Sequence, residues 1–321
     1  MPLSEMPVEQ LREFRPEVLE PDDFDAFWTR TLADSRAQTA PPELRTAETP
    51  LTELVVEDLT FSGFGGERIR GWVIRPLAGA PRPAVVEFLG YGGGRGIPGE
   101  HLRWASAGYV HVVMDTRGQG GSWGSGGATP DPHGSGSTTP GYMTRGIESA
   151  DTYYYRRVFT DAALLIDAVQ QFDFVDPDRI SVTGGNQGGG ISIAVAALHP
   201  AVRAAMPDVP FLCHFRHSVE RTPEHPFREI EQYLSAHRDQ VRTAFDTLAY
   251  FDGVNFARRI TAPTLFSVAL MDTIVLPSSV FAAFNHCAST DAQIEVYPFN
   301  GHEGGQTAQW VRQTAWLAER L

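Results

Sequence analysis

Residues 179–198 constrain this chain more than any other stretch. Arg179-Ile180-Ser181-Val182-Thr183 reads as a short buried strand, and Ile191, Ile193, Ala194, Val195 and Leu198 mark a helix from Gly189 onward. Gly184-Gly185-Asn186-Gln187-Gly188 leaves room between them only for a sharp turn. Glycines suit a turn that is strained and whose backbone must come close to its neighbours. The pattern is that of Gly-x-Ser-x-Gly, which lifts a serine oxygen to the top of a sheet, with Asn186 where the serine would stand. Asparagine has no oxygen that attacks a carbonyl carbon at neutral pH. The chain is therefore expected to be impaired in the chemistry its own turn implies.

Around this elbow the sequence alternates between strand and helix patterns, as a mostly parallel sheet flanked by helices requires. Strands are expected at 54–61, 68–75, 84–89, 110–115, 201–209, 264–270 and 294–298, and helices at 102–107, 159–172, from 277, and at 307–320. The first two strands, joined by Gly63-Phe64-Gly65-Gly66, read as an antiparallel hairpin at the sheet edge. Residues 1–45 read as a helical extension, with Asp22, Asp23 and Asp25 near the start of a helix carrying Phe27, Trp28 and Leu32. Residues 224–250 read as two helices that interrupt the alternation, within a helical insertion at about 212–260. That insertion is a cap over the site or an assembly element. A Gly/Ser/Pro-rich loop at 117–146 holds too many Trp, Tyr and Arg residues to be filler. With the elbow, this pattern predicts a single α/β-hydrolase domain over 1–321.

Composition narrows the function. A net charge of −13 argues against nucleic acid, which requires clustered Lys and Arg. The 10 His residues are scattered without metal-ligand spacing, so neither a metal nor another cofactor is expected. Cys213 and Cys287 could pair, but two lone cysteines in a large acidic chain fit free thiols better. The start, Met1-Pro2-Leu3-Ser4-Glu5, lacks the basic and apolar regions of a signal peptide, and no apolar run reaches membrane-span length. A soluble cytoplasmic protein is the expectation.

In a hydrolase of this class the chain order is nucleophile, acid, histidine. Asp272 follows the strand ending in Leu270-Met271, and His302 follows the next strand, so both stand where the acid and the base should be. A buried carboxylate holding one imidazole nitrogen frees the other to deprotonate a serine. Two backbone N–H groups should face the developing oxyanion. One comes from the residue after the nucleophile, Gln187, and the other from the loop Gly90-Tyr91-Gly92-Gly93, which makes Tyr91 the candidate. Both are backbone donors, so Asn186 is expected to leave them in place. Phe211, after the strand that follows the elbow, and Ile274, two residues after the acid, are positioned to wall a small acyl pocket or to pack in the core.

Arg117-Gly118-Gln119-Gly120, Gly184-x-x-Gln187-Gly188 and His302-Glu303 resemble the three signature segments of the acetyl xylan esterase/cephalosporin C deacetylase family, carbohydrate esterase family seven. Residues 141–147, 153–161 and 271–274 resemble it too, and the similarity spans nearly the whole chain. The resemblance implies removal of acetyl groups from xylooligosaccharides, other sugar acetates and cephalosporins by a Ser-His-Asp mechanism. It implies supporting roles for Arg117 and Gln119, which by themselves also read as substrate binders. It further implies a ring-like hexamer. The aromatic loop residues Trp123, Tyr142, Tyr153, Tyr154 and Tyr155 suit either a subunit interface or the interior of their own subunit. Asn186 departs from the family's serine. Three origins would produce it: a laboratory substitution, a triad retired in nature, or a site redesigned for other chemistry. The otherwise complete set of partners favours the first. Outside catalysis, the alternative is a non-catalytic acyl-sugar binding protein.

Overall fold

Strand residues alternate along most of the sequence with helical ones, and the computed structural model, which describes residues 5–77 and 79–321, assembles the strands into one sheet. The amino-terminal residues Met1 to Ser4, part of the run read as lacking a signal peptide, lie outside the described residues. The strands are β1 (Glu43–Thr46), β2 (Leu54–Ser62), β3 (Arg68–Pro76), β4 (Arg82–Phe88), β5 (Val110–Met114), β6 (Val175–Gly185), β7 (Val202–Asp208), β8 (Thr264–Ala269) and β9 (Ala292–Tyr297). Their order is β1-β2-β3-β5-β4-β6-β7-β8-β9. Pairing is antiparallel from β1 to β3 and between β3 and β5, and parallel from β5 through β9. The central strands are covered on both faces. Every residue of β5 is buried, which is why the segment is apolar apart from His111 rather than alternating.

The helices are α1 (Val8–Glu13), α2 (Phe24–Arg36), α3 (Arg103–Ser106), α4 (Tyr154–Val169), α5 (Gln187–Leu198), α6 (Phe215–Arg221), α7 (Phe227–Ala236), α8 (Val241–Ala249), α9 (Gly253–Ala257), α10 (Pro277–His286) and α11 (Gln306–Ala318). On one face of the sheet, Val86, Phe88 and Val182 share a large core with Trp28, Phe159, Leu165, Ile193 and Phe256. On the other, Val85, Met206 and Leu265 pack with Trp104, Trp316 and Leu317. The parallel strands end on one side of the sheet, and the turns leaving β4, β6, β8 and β9 gather there.

Some expectations need correction. The extension is not wholly helical, because Glu43–Thr46 forms β1 and pairs with β2, so the hairpin is not outermost. β1 is polar and largely exposed, so it has no apolar alternation to betray it. Residues 224–250 hold the two expected helices, α7 and α8, but the insertion as a whole adds α6 and α9, which are too short to carry a clear periodic signal. Helix α4 begins at Tyr154, five residues before the expected start, and Tyr153, Tyr154 and Tyr155 are completely buried within their own subunit. That burial removes the tyrosine run from any interface argument. Cys213 and Cys287 are free thiols.

Candidate active site

The elbow is built on glycine. A Cβ on either Gly184 or Gly188 would overlap the carbonyl oxygen of Phe88, so only glycine lets β6 and α5 close onto the end of β4. Asn186 sits between them at φ 54° and ψ −118°, a conformation that L-residues rarely adopt. Its backbone is pinned on both sides: its N–H donates to the Asp208 carbonyl at 3.0 Å, and its own carbonyl accepts from Phe211 N–H at 2.9 Å.

Asp272, just beyond β8, is fully buried. Its Oδ1 accepts the N–H groups of Ile274 and Val275 at 2.8 and 2.9 Å, and its Oδ2 lies 2.9 Å from Nδ1 of His302. His302 stands in the loop between β9 and α11 with its side chain about one-third exposed (34%). The carboxylate therefore places the ring proton on Nδ1 and leaves Nε2 as the free base. His302 and Asn186, far apart in sequence, line one cavity of about 370 Å³.

Tyr91 N–H donates to Oδ1 of Asn186 at 3.0 Å. The Tyr91 donor is thus in place but engaged: a side chain one atom longer than serine reaches it and occupies it. Gln187 is the first residue of α5, where an N–H has no intrahelical acceptor. The Gln187 side chain is fully buried, and it and Gln119 clasp each other. Gln119 Nε2 donates to Gln187 Oε1 at 2.8 Å, and Gln187 Nε2 donates to Gln119 Oε1 at 3.2 Å and to the Leu89 carbonyl at 3.2 Å. Gln119 Oε1 also accepts Gly92 N–H at 2.8 Å, and Tyr155 Oη donates to Gln187 Oε1 at 2.9 Å. The clasp ties the Tyr91 loop to the elbow and so sets the spacing of the two candidate N–H donors.

Arg117 is buried below this layer. Its guanidinium grips Asp161 of α4 at 2.6 and 2.7 Å and also bonds Glu67, while its carbonyl accepts Tyr154 Oη at 2.5 Å. Burial alone would lower the Arg117 pKa, but Asp161 and Glu67 drive it upward. Neither Arg117 nor Gln119 lines the cavity, and both hold neighbouring segments through these hydrogen bonds.

The acetyl xylan esterase (AXE1) family, described by its sequence profile, matches residues 1–320. This chain belongs to that family. An acetyl xylan esterase from Paenibacillus sp. R4 is 36% identical and superposes with a TM-score of 0.92, covering 98% of this chain and 100% of that one. The acetyl xylan esterase 1 of Thermoanaerobacterium sp. JW/SL YS485 is 34% identical, with a TM-score of 0.89 over 98% and 99% of the two chains. Acetyl esterase Axe7A of Xylanibacter ruminicola is 25% identical over 96% of this chain and 70% of its own length. The fold is that of an α/β-hydrolase, and the family is one of acetyl ester hydrolases. Among the described residues no helix is long and apolar enough to cross a membrane.

Within this acetyl xylan esterase scaffold, the cavity walls only partly match the expectation. Ile274 lines the cavity together with Gly90, Tyr91, Trp123, His225 and Pro226. Phe211 does not. It is buried behind Tyr91, with ring centroids 6.2 Å apart, and packs on Phe227 at 4.5 Å. Its backbone is already committed to holding Asn186, which draws the residue beneath the elbow. His225 and Pro226 come from the insertion, which therefore forms part of the wall. Nothing in the local sequence marks them. Trp123, an aromatic of the Gly-rich loop that suits an interface or the interior by sequence alone, stands in the cavity wall.

Glu229 on α7 also escaped the sequence reading. It is buried, accepts Tyr91 Oη at 2.7 Å through Oε1, and accepts Met143 N–H at 3.0 Å through Oε2. Burial pushes its carboxyl above the usual range, against the lowering effect of those hydrogen bonds. Through Glu229 the insertion grips the ring of Tyr91, the residue whose backbone faces position 186.

Proposed function

We propose that this scaffold hydrolyses short O-acetyl esters of sugars and xylooligosaccharides, and of cephalosporin-type acetates, and that the chain carrying Asn186 is strongly impaired in doing so. One observation carries the reading: the Tyr91 N–H aims at the side chain of residue 186 in the same cavity that His302, held by Asp272, lines. With serine at 186, His302 takes the hydroxyl proton as the oxygen adds to the acetyl carbon. Tyr91 and Gln187 N–H groups receive the oxyanion, and His302 returns the proton to the departing sugar hydroxyl. Water then repeats the sequence on the acetyl-enzyme. Asp272 keeps His302 in the tautomer both steps need.

The test is Asn186→Ser assayed on chromogenic acetate, butyrate and octanoate esters. Loss of a triad nucleophile costs about 10⁶ in turnover, so the serine form should gain several orders of magnitude on acetate. No gain on any short ester refutes the esterase reading. Rates that rise with chain length refute the acetyl preference, because each methylene changes binding by only about 1–3 kcal/mol and rejection of long chains rests on cavity shape. The alternative of an acyl-sugar binding protein without turnover is disfavoured, since Asn186 Oδ1 already engages the Tyr91 donor that a bound acyl oxygen would use.

Two further properties belong to the proposal. The free thiols Cys213 and Cys287 support a cytoplasmic setting. A hexamer follows from the family resemblance, and exposed Trp123 (52%) and Phe299 (85%) supply aromatic surface for an interface. Mass measurement in solution tests it, and a monomer at working concentration refutes it.

A further inference from the structure

The Asn186 side chain presents an amide carbonyl to the backbone N–H of Tyr91, the donor assigned above to an ester's oxyanion. Its Oδ1 accepts Tyr91 N–H at 3.0 Å, and the opposite amide rotamer would set NH2 against that donor, so the orientation is determined. Among the described residues, no acceptor takes the Nδ2 protons, and the side chain lines the open cavity with His302. Asp272 holds Nδ1 of His302 and leaves Nε2 with its lone pair. The carbonyl of residue 186 thus meets one of the expected oxyanion donors and shares a cavity with a histidine held as a base, and water can stand in for the missing serine.

We propose that Asn186 is a self-processing position, at which His302 slowly hydrolyses the side-chain amide to aspartate. This deepens the esterase reading and rests on it, because the same base and the same Tyr91 donor do the work. Water in the cavity gives a proton to His302 Nε2 as its oxygen bonds to Cγ. The carbonyl π pair moves onto Oδ1, and the Tyr91 N–H bond strengthens as charge gathers there. The pair then returns, the Cγ–Nδ2 bond breaks, and the imidazolium proton goes to the departing nitrogen. One water is consumed, one ammonia is released, and Cγ becomes a carboxyl group that ionises to a carboxylate. No oxidant, metal or cofactor enters the balance.

An uncatalysed route competes. At ψ −118° the Cβ of Asn186 nearly eclipses the Gln187 nitrogen, which favours attack of that nitrogen on Cγ through a five-membered imide. That route does not use His302, and it opens to a mixture of isoaspartate and aspartate. The two are therefore distinguishable by product and by variant.

The experiment follows the peptide containing residue 186 by mass spectrometry as freshly purified full-length protein ages at neutral pH. The parent chain, His302→Gln and Asp272→Asn are compared, each with a circular-dichroism melt to verify folding. Asn186→Ser is assayed for acetate hydrolysis alongside. The expected result is steady conversion of the carboxamide to a carboxyl at residue 186 in the parent, with aspartate and no isoaspartate. General acid–base assistance is worth about 10²–10⁴-fold, so folded His302→Gln should convert at least about a hundredfold more slowly. An intact amide in the parent while Asn186→Ser hydrolyses acetate overturns this inference and leaves the esterase reading standing. Isoaspartate, or equal conversion in His302→Gln, overturns it as well. An inactive Asn186→Ser refutes the esterase reading on its own evidence, whatever the aged peptide shows.

Discussion

Replacing Asp272 by Asn in the Asn186→Ser background exposes how the site holds its base. Asp272 Oδ1 already serves two backbone donors, Ile274 and Val275, at 2.8 and 2.9 Å, while Oδ2 faces His302 at 2.9 Å. An amide has only one oxygen to place. If that oxygen stays under the two N–H groups, the NH2 faces His302, whose Nδ1 must then accept. The ring proton shifts to Nε2, and the serine loses its base. Turning the amide over restores the tautomer but sets NH2 against both backbone donors. Each buried hydrogen bond lost this way costs about 1–3 kcal/mol, so the flip costs about 2–6 kcal/mol. At about 1.36 kcal/mol per factor of ten, the productive form falls to between about one in 30 and about one in 3 × 10⁴. The ~10⁴ loss of kcat known for a wrong tautomer in serine proteases lies within this range. The assay is kcat on a chromogenic acetate for the serine form with and without Asp272→Asn, with melting curves to verify folding. KM should change little, because Asp272 is buried beneath the base rather than in the cavity wall. A loss of less than about tenfold would refute the reasoning.

Arg117→Met should destabilise by about 3–5 kcal/mol, since it strands Asp161 without its buried counter-charge; a denaturant titration showing less than about 1 kcal/mol would mean the network relaxes. Burial raises the Asp208 carboxyl from its ordinary 3.8 to about 6, against the lowering effects of Ser267 and His302. A raised carboxyl favours the folded state while protonated, and that contribution is lost as pH rises through about 6. Asp208→Asn should therefore leave stability unchanged below the ordinary carboxylate range and raise it relative to the parent above pH 6; a difference that does not vary with pH contradicts the assignment.

Much of this architecture is legible because its signals are local. The elbow declares itself through Gly184 and Gly188, whose spacing is dictated by one close approach to Phe88. Asp272 and His302 are found by counting strands, since chain order fixes which strand end each must occupy and parallel strands deliver their ends to the same side. Arg117 and Gln119 were recognisable as important, but their work is done through Asp161, Glu67, Gln187 and Gly92, none of which is a sequence neighbour.

Where two elements distant in sequence meet, only the tertiary structure decides. Phe211 and Ile274 are both apolar residues next to functional positions, yet one lies beneath the elbow and the other faces the cavity. Tyr153, Tyr154 and Tyr155 have the composition of an interface and the location of a core. His225, Pro226 and Glu229 reach the site from an insertion whose docking no local pattern records. The same holds for the state of the site itself. The sequence determined that residue 186 is an asparagine in the turn between β6 and α5; only the fold decided that its carboxamide oxygen reaches Tyr91 N–H. Hydrogen-bond reach is a matter of ångströms between separate segments, and periodicity along one chain carries no such information.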